Sequence, residues 1–183
     1  MPESTQEMQP RGQPPVAHTR THTRTHSWDD PAPMPAALPL LSGLALLGAI
    51  GDGSLPRPPI MSTLDIAPVE AEEGRVVFVL EPGPHHLNPL GTIHGGVLSA
   101  LLDTAAACAV HSTLPAGTGY TTLDLSVRFL RPVTPETGTV RAEGVLVSRG
   151  RRTALAEARA YDSSDRLLAH ATSTCLILDL TAG

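Results

Sequence analysis

Residues 95–112 read GGVLSALLDTAAACAVHS and form the most periodic segment of the chain. At about 100° per residue, one side of a helix over this segment is apolar and can pack into a curved sheet. The opposite side has small residues around one carboxylate, Asp103. The apolar side consists of Leu98, Leu101, Leu102, Ala105 and Ala109, and the small side of Gly96, Ser99, Ala100 and Ala107.

The segments on either side of this helix predict β-strands. Residues 75–81 are rich in Val and Phe, and four β-rich segments with short turn signals between them follow the helix. One strand, one long helix and then a strand meander predict an α+β fold rather than a doubly wound nucleotide-binding fold. The four later strands are predicted at 121–130, 138–149, 152–162 and 167–178.

The first 60 residues differ in composition from the rest of the chain. Residues 1–35 are rich in Pro, Thr, His and Gln and have no apolar periodicity, so we predict a disordered, low-complexity tail. Residues 36–60 predict a short amphipathic helix followed by a proline-rich linker. The main domain is predicted at 61–180, and the composition of the tail leaves open that translation starts at Met34.

Composition excludes several classes of protein. A formal net charge of -5 argues against a nucleic-acid-binding surface, which would need clustered basic residues. The most apolar segment, 39–50, is shorter than the roughly 20 residues that span a bilayer, and no basic segment precedes it. We therefore expect a cytoplasmic protein without a membrane anchor, in which Cys108 and Cys175 are reduced, buried thiols.

Gly95 and Gly96 lie where the long helix begins. Backbone N–H groups at a helix start have no partner within the helix, and the helix dipole adds partial positive charge there. A substrate carbonyl can approach such amides closely because glycine has no side chain. The pair is thus a candidate oxyanion site, although a simple turn into the helix would also use two glycines.

Asp103 is unusual in the middle of an alanine-rich helix, because a buried carboxylate without a partner is costly. It is either a solvated or hydrogen-bonded structural residue, or a general base or nucleophile. Gly95 and Asp103 are separated by about 12 Å along the helix, too far to contact the same carbonyl group. If both are catalytic, Asp103 must come from a second subunit in a two-fold dimer.

Three motifs resemble the phenylacetate-degradation (PaaI-like) hot-dog thioesterases. They are Asn88-Pro-Leu-Gly-Thr-Ile-His94-Gly95-Gly96 followed by Leu101-Leu102-Asp103, then Thr121-Thr122-Leu-Asp-Leu, and Arg128-Phe-Leu-Arg-Pro132. The spacings from Asn88 to His94 and from His94 to Asp103 match the pattern of that family. The resemblance covers roughly residues 41–178.

The resemblance implies a hot-dog fold, in which an antiparallel sheet wraps a long central helix. It also implies homodimers with a continuous sheet, often paired into homotetramers, and hydrolysis of acyl-CoA thioesters without a metal or redox cofactor. By this analogy Asp103 activates water or attacks directly, and the Gly95 amide, helped by Gly96, polarises the carbonyl. Asn88 would position the water or the carbonyl, and His94 would orient the helix start.

Other assignments are less constrained by the motifs. Thr122 matches a hydroxyl that supports the nucleophile or water in the family, but Thr121 could take that role. The CoA phosphates need cations, and arginine suits them through bidentate hydrogen bonds. The candidates are Arg128, Arg131, Arg149, Arg151 and Arg152, of which the last three lie at a predicted hairpin tip.

The expected activity is hydrolysis of a medium-sized acyl-CoA, with an aromatic, phenylacetyl-type ester among the candidates. The alternative is a non-catalytic hot-dog module that binds acyl-CoA as a sensor or carrier. A third hypothesis is metal binding by the His18, His22 and His26 repeat in the tail.

Overall fold

A computed structural model describes residues 20–181 of the chain. In this range it has four α-helices and six β-strands. The helices are α1 (Pro33–Ala37), α2 (Gly43–Gly51), α3 (Pro59–Leu64) and α4 (Gly95–His111). The strands are β1 (Ile66–Glu72), β2 (Arg75–Leu80), β3 (Thr118–Phe129), β4 (Val140–Arg149), β5 (Thr153–Tyr161) and β6 (Leu167–Asp179).

The strands form one antiparallel sheet in the order β1-β2-β4-β5-β6-β3. Its concave face wraps α4, which packs against β2, β3, β4, β5 and β6. This is the hot-dog arrangement that the resemblance implied, so the predicted fold is confirmed. Among the described residues, strand β3 pairs only with β6 and forms one edge of the sheet.

Small residues allow α4 to approach the sheet closely. Ala105 and Ala109 are fully buried, as are Leu101 and Leu102, which confirms the predicted apolar face. A Cβ atom added to Gly144 on β4 would lie 2.0 Å from the carbonyl oxygen of Ala105. The contact between helix and sheet therefore depends on glycine at this position.

The predicted long helix and the five predicted strands match the observed bounds to within a few residues. Strand β1 and helix α3 were not predicted, and α3 occupies the end of the predicted linker and the start of the predicted domain. Strand β1 was missed because only Ile66 of its residues is buried, so the segment has no regular apolar alternation.

The helices α1 and α2 form a small second core beside the main domain. Ser42 caps α2 by accepting a hydrogen bond from the Ala45 N–H, and Gly53 follows the helix with a positive φ of 82°. Helix α2 lies within the segment 36–60, for which a short helix was predicted. The buried residues of this second core are Ala37, Leu46 and Ile50.

The predicted disordered tail lies partly outside the described residues, since the description begins at residue 20. From 20 to 31 the chain is exposed and has no helix or strand, and α1 starts before the predicted end of the tail. His18 lies outside the described range, and His22 and His26 are exposed. Among the described residues, no helix is both long and apolar enough to cross a membrane.

Candidate active site

The start of α4 is fixed by His94, which is the N-cap residue of the helix. Its Nδ1 atom accepts a hydrogen bond from the Gly96 N–H over 2.9 Å. The Gly95 N–H has no acceptor within the described part of the chain. Gly95 is therefore the amide that remains available for a substrate oxygen, and help from Gly96 would require its bond to His94 to break.

Gly95 lies against the ring of Phe129 at the end of β3. A Cβ atom on Gly95 would be 3.0 Å from the Phe129 ring, so glycine keeps this space free. The two residues line a cavity of about 360 Å³ that has a largely apolar wall. Its other lining residues are Asn88, Thr92, Ile93, Leu98, Leu130, Arg131, Pro132 and Val133.

Asn88 organises the loop that leads into α4. Its Oδ1 atom accepts hydrogen bonds from the N–H groups of Leu90 and Thr92, and its Nδ2 atom donates to the Thr92 hydroxyl at 2.8 Å. One Nδ2 hydrogen remains for a ligand, because a primary amide has two. The structure thus brings Asn88 to the same cavity as Gly95.

Asp103 forms a second group of candidate residues with Thr122. The carboxylate is half-buried, and its Oδ1 atom accepts a hydrogen bond from the Thr122 hydroxyl over 2.9 Å. Within residues 20–181, nothing donates a hydrogen bond to Oδ2. Thr121 is exposed and points to the opposite face of β3, so the structure brings Thr122 and not Thr121 to the carboxylate.

The two groups are separate within one chain. Gly95 and Asp103 both belong to α4 and lie about 12 Å apart along its axis. Each group contacts the edge strand β3, Gly95 near its end at Phe129 and Asp103 nearer its start at Thr122. One chain therefore presents two separate groups of candidate residues along the β3 edge of its sheet.

Three of the predicted phosphate-binding arginines lie together. Arg149, Arg151 and Arg152 line a cavity of about 650 Å³ beside Thr118 at the start of β3. Arg149 also donates to the carbonyl oxygen of Thr113 at 2.5 Å, which orients its side chain. The remaining lining residues of this cavity are Leu176, Ile177, Leu178 and Asp179.

The other two arginines are placed differently. Arg128 is exposed on the outer face of the sheet, where His170 is its cross-strand neighbour. Arg131 lines the cavity beside Gly95 and donates to the carbonyl oxygen of Leu167. Of the five candidate arginines, Arg131 is the one that lines the same cavity as Gly95.

Neither cysteine is suited to act as the nucleophile. Both are free and buried, which confirms the prediction of two buried thiols. Burial raises the pKa of Cys108 to about 12 and also raises the pKa of Cys175. A thiol must be deprotonated to attack, so Asp103 remains the candidate reactive group on this side of α4.

Sequence reasoning missed the apolar wall of the cavity beside Gly95. Phe129 was part of a quoted motif, but only the fold places its ring on a glycine 34 positions earlier in the chain. No local sequence pattern links Asp65 to His85 and His86, which the fold brings together beside α4. Both arrangements depend on contacts between distant segments.

Comparison with known proteins agrees with the fold. Residues 90–169 match the family model described as thioesterase superfamily. A phenylacetic acid degradation-related protein of Ralstonia eutropha, described as a thioesterase, is 30% identical with a TM-score of 0.66, and the match covers 71% of this chain and 98% of that one.

The chain belongs to the thioesterase superfamily. Its resemblance to the PaaI-like thioesterases is thereby confirmed. Among other similar proteins, ComA2 of Bacillus subtilis, named as an esterase, is 28% identical over 65% of this chain and 94% of its own length. A Streptococcus mutans protein with bound acetyl-CoA is 27% identical with a TM-score of 0.57, covering 62% of this chain and 89% of that one.

Proposed function

We propose that this protein is an acyl-CoA thioesterase whose two active sites form across a homodimer interface. The observation that carries the proposal is the pair of half-sites on β3, one built on the free Gly95 amide and the other on the Asp103 carboxylate. Neither half can catalyse the reaction alone, since hydrolysis of a thioester needs both an activated nucleophile and a stabilised oxyanion.

The position of β3 supports the dimer. Long open strand edges need to be covered, and Leu123 and Phe129 leave 56% and 51% of their surface exposed along this edge. If two copies of β3 pair antiparallel about a two-fold axis at Ser126, the bulge at Leu123 places Thr122 of each copy opposite Phe129 of the other, with both side chains on the face that holds α4. Asp103 of one subunit would then face Gly95 of its partner.

The chemistry follows from this arrangement. Thr122 holds Oδ1 of Asp103, which leaves Oδ2 to take a proton from water as the water oxygen attacks the thioester carbonyl. The carbonyl oxygen becomes an oxyanion that accepts a hydrogen bond from the partner's Gly95 N–H. The C–S bond then breaks, and the proton held by Asp103 passes to the departing CoA thiolate. Direct attack by Asp103, through a mixed anhydride, is the variant of this mechanism that the geometry also permits.

The arginine-lined cavity supports CoA as the leaving group. Thr118 in that cavity is four residues from Thr122, or about 13 Å along an extended strand. The arginines would bind the phosphates at a distance that the pantetheine arm can bridge to the carboxylate. The acetyl-CoA bound to the Streptococcus mutans protein also supports a CoA ester as the ligand.

The acyl group would occupy the apolar cavity at Phe129 and Leu98. Its volume of about 360 Å³ suits a medium-sized acyl group, and the kinship with a phenylacetic acid degradation-related protein favours an aromatic one. Hydrolysis would take place in the cytoplasm, where Cys108 and Cys175 stay reduced. The pairing of dimers into tetramers stays a prediction.

The test measures release of CoA thiol from a panel of acetyl-, hexanoyl-, decanoyl-, benzoyl- and phenylacetyl-CoA. Asp103→Asn is nearly isosteric and should lower kcat by about 1000-fold or more on every ester the wild type cleaves. The control is Asp52→Asn, because Asp52 is an exposed carboxylate after α2 and distant from β3 in sequence. Equal turnover by the wild type and Asp103→Asn would remove Asp103 from the mechanism.

The alternative function, a non-catalytic sensor or carrier, gives a different result in the same assay. The wild type would release no thiol from any ester but would bind a non-hydrolysable thioether analogue of acyl-CoA. The carboxylate beside Thr122 favours the enzyme, since binding a thioester has no need of a base. Calorimetric titration with the thioether analogue separates the two functions.

A further inference from the structure

A group of metal-ligating side chains lies outside the site described above. Asp65, at the end of α3, and His85 and His86, in the loop before α4, place one donor atom each within 4.8 Å of the others. The Nε2 atom of His85 is 3.1 Å from Oδ2 of Asp65. The two imidazole rings are in contact, with their centroids 3.8 Å apart.

His86 is the feature that points to a missing ligand. Only 3% of its surface is exposed, and its Nε2 atom is buried with no hydrogen-bond partner among residues 20–181. Its Nδ1 atom accepts only one long hydrogen bond, 3.2 Å, from the Gly83 N–H. An unpaired buried polar atom costs about 1–3 kcal/mol, so native proteins rarely keep one without a reason.

We propose that Asp65, His85 and His86 bind a divalent transition-metal ion, with Zn²⁺ the best match. Two imidazole nitrogens and one carboxylate oxygen form a donor set that suits Zn²⁺, Co²⁺, Ni²⁺ and Cu²⁺ better than Mg²⁺ or Ca²⁺, which prefer oxygen ligands. Donors around a tetrahedral Zn²⁺ lie roughly 3.3 Å apart, so the group needs to contract by no more than roughly 1.5 Å.

The surroundings hold the carboxylate in position for this role. Arg24 donates to Oδ1 of Asp65 at 2.5 Å and also reaches the carbonyl oxygens of Ser62 and Thr63. This leaves Oδ2 directed at His85 and free for the ion. Partners that orient a ligand in this way commonly accompany metal sites.

A bound ion would link Asp65, at the end of α3, to the loop that contains His85 and His86 and leads into α4. The carbonyl oxygen of His86 accepts a hydrogen bond from the His94 N–H over 2.8 Å, and both residues line a cavity of about 450 Å³. A metal at His86 would therefore stiffen the loop that positions His94. This role is structural and separate from the thioester chemistry, and it does not rest on the proposed activity.

The histidine repeat of the tail is a competing metal site, and the experiment separates the two. Zn²⁺ is titrated by calorimetry into chelator-treated full-length protein in which His18, His22 and His26 are all replaced by Ala. We expect one equivalent to bind. His85→Ala in this background should weaken binding about tenfold or more, as should Asp65→Asn.

The matched control is His170→Ala, which removes another half-buried histidine near a carboxylate, Glu157. It should leave Zn²⁺ affinity unchanged. Because metal bound only to the folded state stabilises it, Zn²⁺ should also raise the Tm of the tail-substituted protein but not that of its His85→Ala form. This comparison of each protein with and without Zn²⁺ also shows whether His85→Ala folds.

Two results would overturn the site. One is absence of Zn²⁺ binding once the tail histidines are gone, and the other is equal affinity with and without His85. If His85→Ala does not fold, the visible spectrum of the Co²⁺-loaded, tail-substituted protein decides. Bands of four- or five-coordinate cobalt support the site, and the spectrum of hydrated cobalt alone contradicts it.

Discussion

At the scale of single residues, the Gly95 amide can be removed without disturbing the helix that it begins. Gly95 is the first residue of α4, where proline is tolerated, and His94 before it has a ψ of 135°, which suits a residue before proline. Gly95→Pro removes the proposed oxyanion donor, and Gly95→Ala adds a Cβ but keeps the N–H. We expect kcat of Gly95→Pro to be about 100- to 1000-fold below that of Gly95→Ala.

The comparison with alanine is needed because any Cβ at this position is 3.0 Å from the Phe129 ring. Both variants therefore share the contact between an added Cβ and the Phe129 ring. Kinetics with the best ester of the panel measure the difference. Equal kcat values for the two would mean that the Gly95 N–H is not the donor.

The two adjacent threonines of β3 provide a second residue-scale prediction. Thr122→Val removes the hydroxyl that donates to Asp103, while Thr121→Val changes an exposed side chain on the opposite face. Loss of one hydrogen bond to a charged group costs about 1.5–3 kcal/mol, so kcat of Thr122→Val should fall about 10- to 100-fold. A larger loss in Thr121→Val than in Thr122→Val would reverse the assignment.

For single residues, the sequence predicted the main candidates of the site but not the contacts that surround them. Gly95 and Asp103 were found because a glycine pair at a helix start and a carboxylate in an alanine-rich helix are locally unusual. The choice between Thr121 and Thr122 needed the direction of each side chain on β3. The neighbours of Gly95 and His86 needed contacts between segments that no local pattern encodes.

At the scale of elements, the packing of α4 on β4 depends on Gly144. A Cβ there would lie 2.0 Å from the Ala105 carbonyl oxygen, so Gly144→Ala must push the helix away from the sheet. Overpacking of this kind costs about 1–3 kcal/mol, and the Tm should fall by about 3–10 °C. The control is Gly48→Ala on the exposed side of α2, where an added Cβ meets nothing within 4 Å.

Calorimetric melting of both alanine variants checks this prediction. Gly48→Ala should be neutral or stabilising, because alanine favours a helix over glycine. A Tm for Gly144→Ala equal to that of the wild type would show that α4 can move away from β4 without loss.

The turn between β5 and β6 gives a prediction that depends on pH. Asp162 is buried and accepts hydrogen bonds from the Arg166 N–H, from the Arg166 side chain and from the Ser164 N–H, and these bonds lower its pKa. A lowered pKa in the folded state means stabilisation that is present above the ordinary Asp pKa of about 3.9 and lost below it.

Asp162→Asn should therefore unfold at a lower urea concentration than the wild type at pH 7, with the difference shrinking as the pH falls below about 4. Asp165→Asn is the control, because Asp165 lies in the same turn but its side chain is 82% exposed. A constant difference between Asp162→Asn and wild type over this pH range would contradict the role of the charge.

Prediction of elements from sequence succeeded where burial was regular and failed where it was not. Strands β4 and β5 alternate between buried and more exposed residues over part of their length, and both were predicted. Strand β1 contains Pro68 and an irregular register between Pro68 and Glu70, as expected for an edge strand. Such a strand is held by its neighbour β2, so its own sequence does not predict it.

At the scale of the whole molecule, the proposed active site requires two chains. Gly95 and Asp103 are held apart by the rigid length of α4, and both lie next to β3, the open edge of the sheet. Dimerisation through β3 would cover an exposed edge. It would also bring Gly95 of one subunit close to Asp103 of the other.

Mixing two inactive variants should restore activity. In a heterodimer of Asp103→Asn with Gly95→Pro, one site combines the native Gly95 of the first chain with the native Asp103 of the second, and the other site has both substitutions. Random exchange makes half of the dimers heterodimers with one intact site of two, so activity should recover to about a quarter of the wild-type value. The measurement is thiol release after the variants are unfolded and refolded together.

The control for this experiment is each variant refolded alone, which should stay inactive. Co-refolded protein without recovered activity, but shown by tagged pull-down to contain heterodimers, would mean that both residues act within one chain. That outcome conflicts with a separation of about 12 Å along α4. Recovery near one quarter would instead require that each active site is shared by two subunits, because no single chain in the mixture has both native residues.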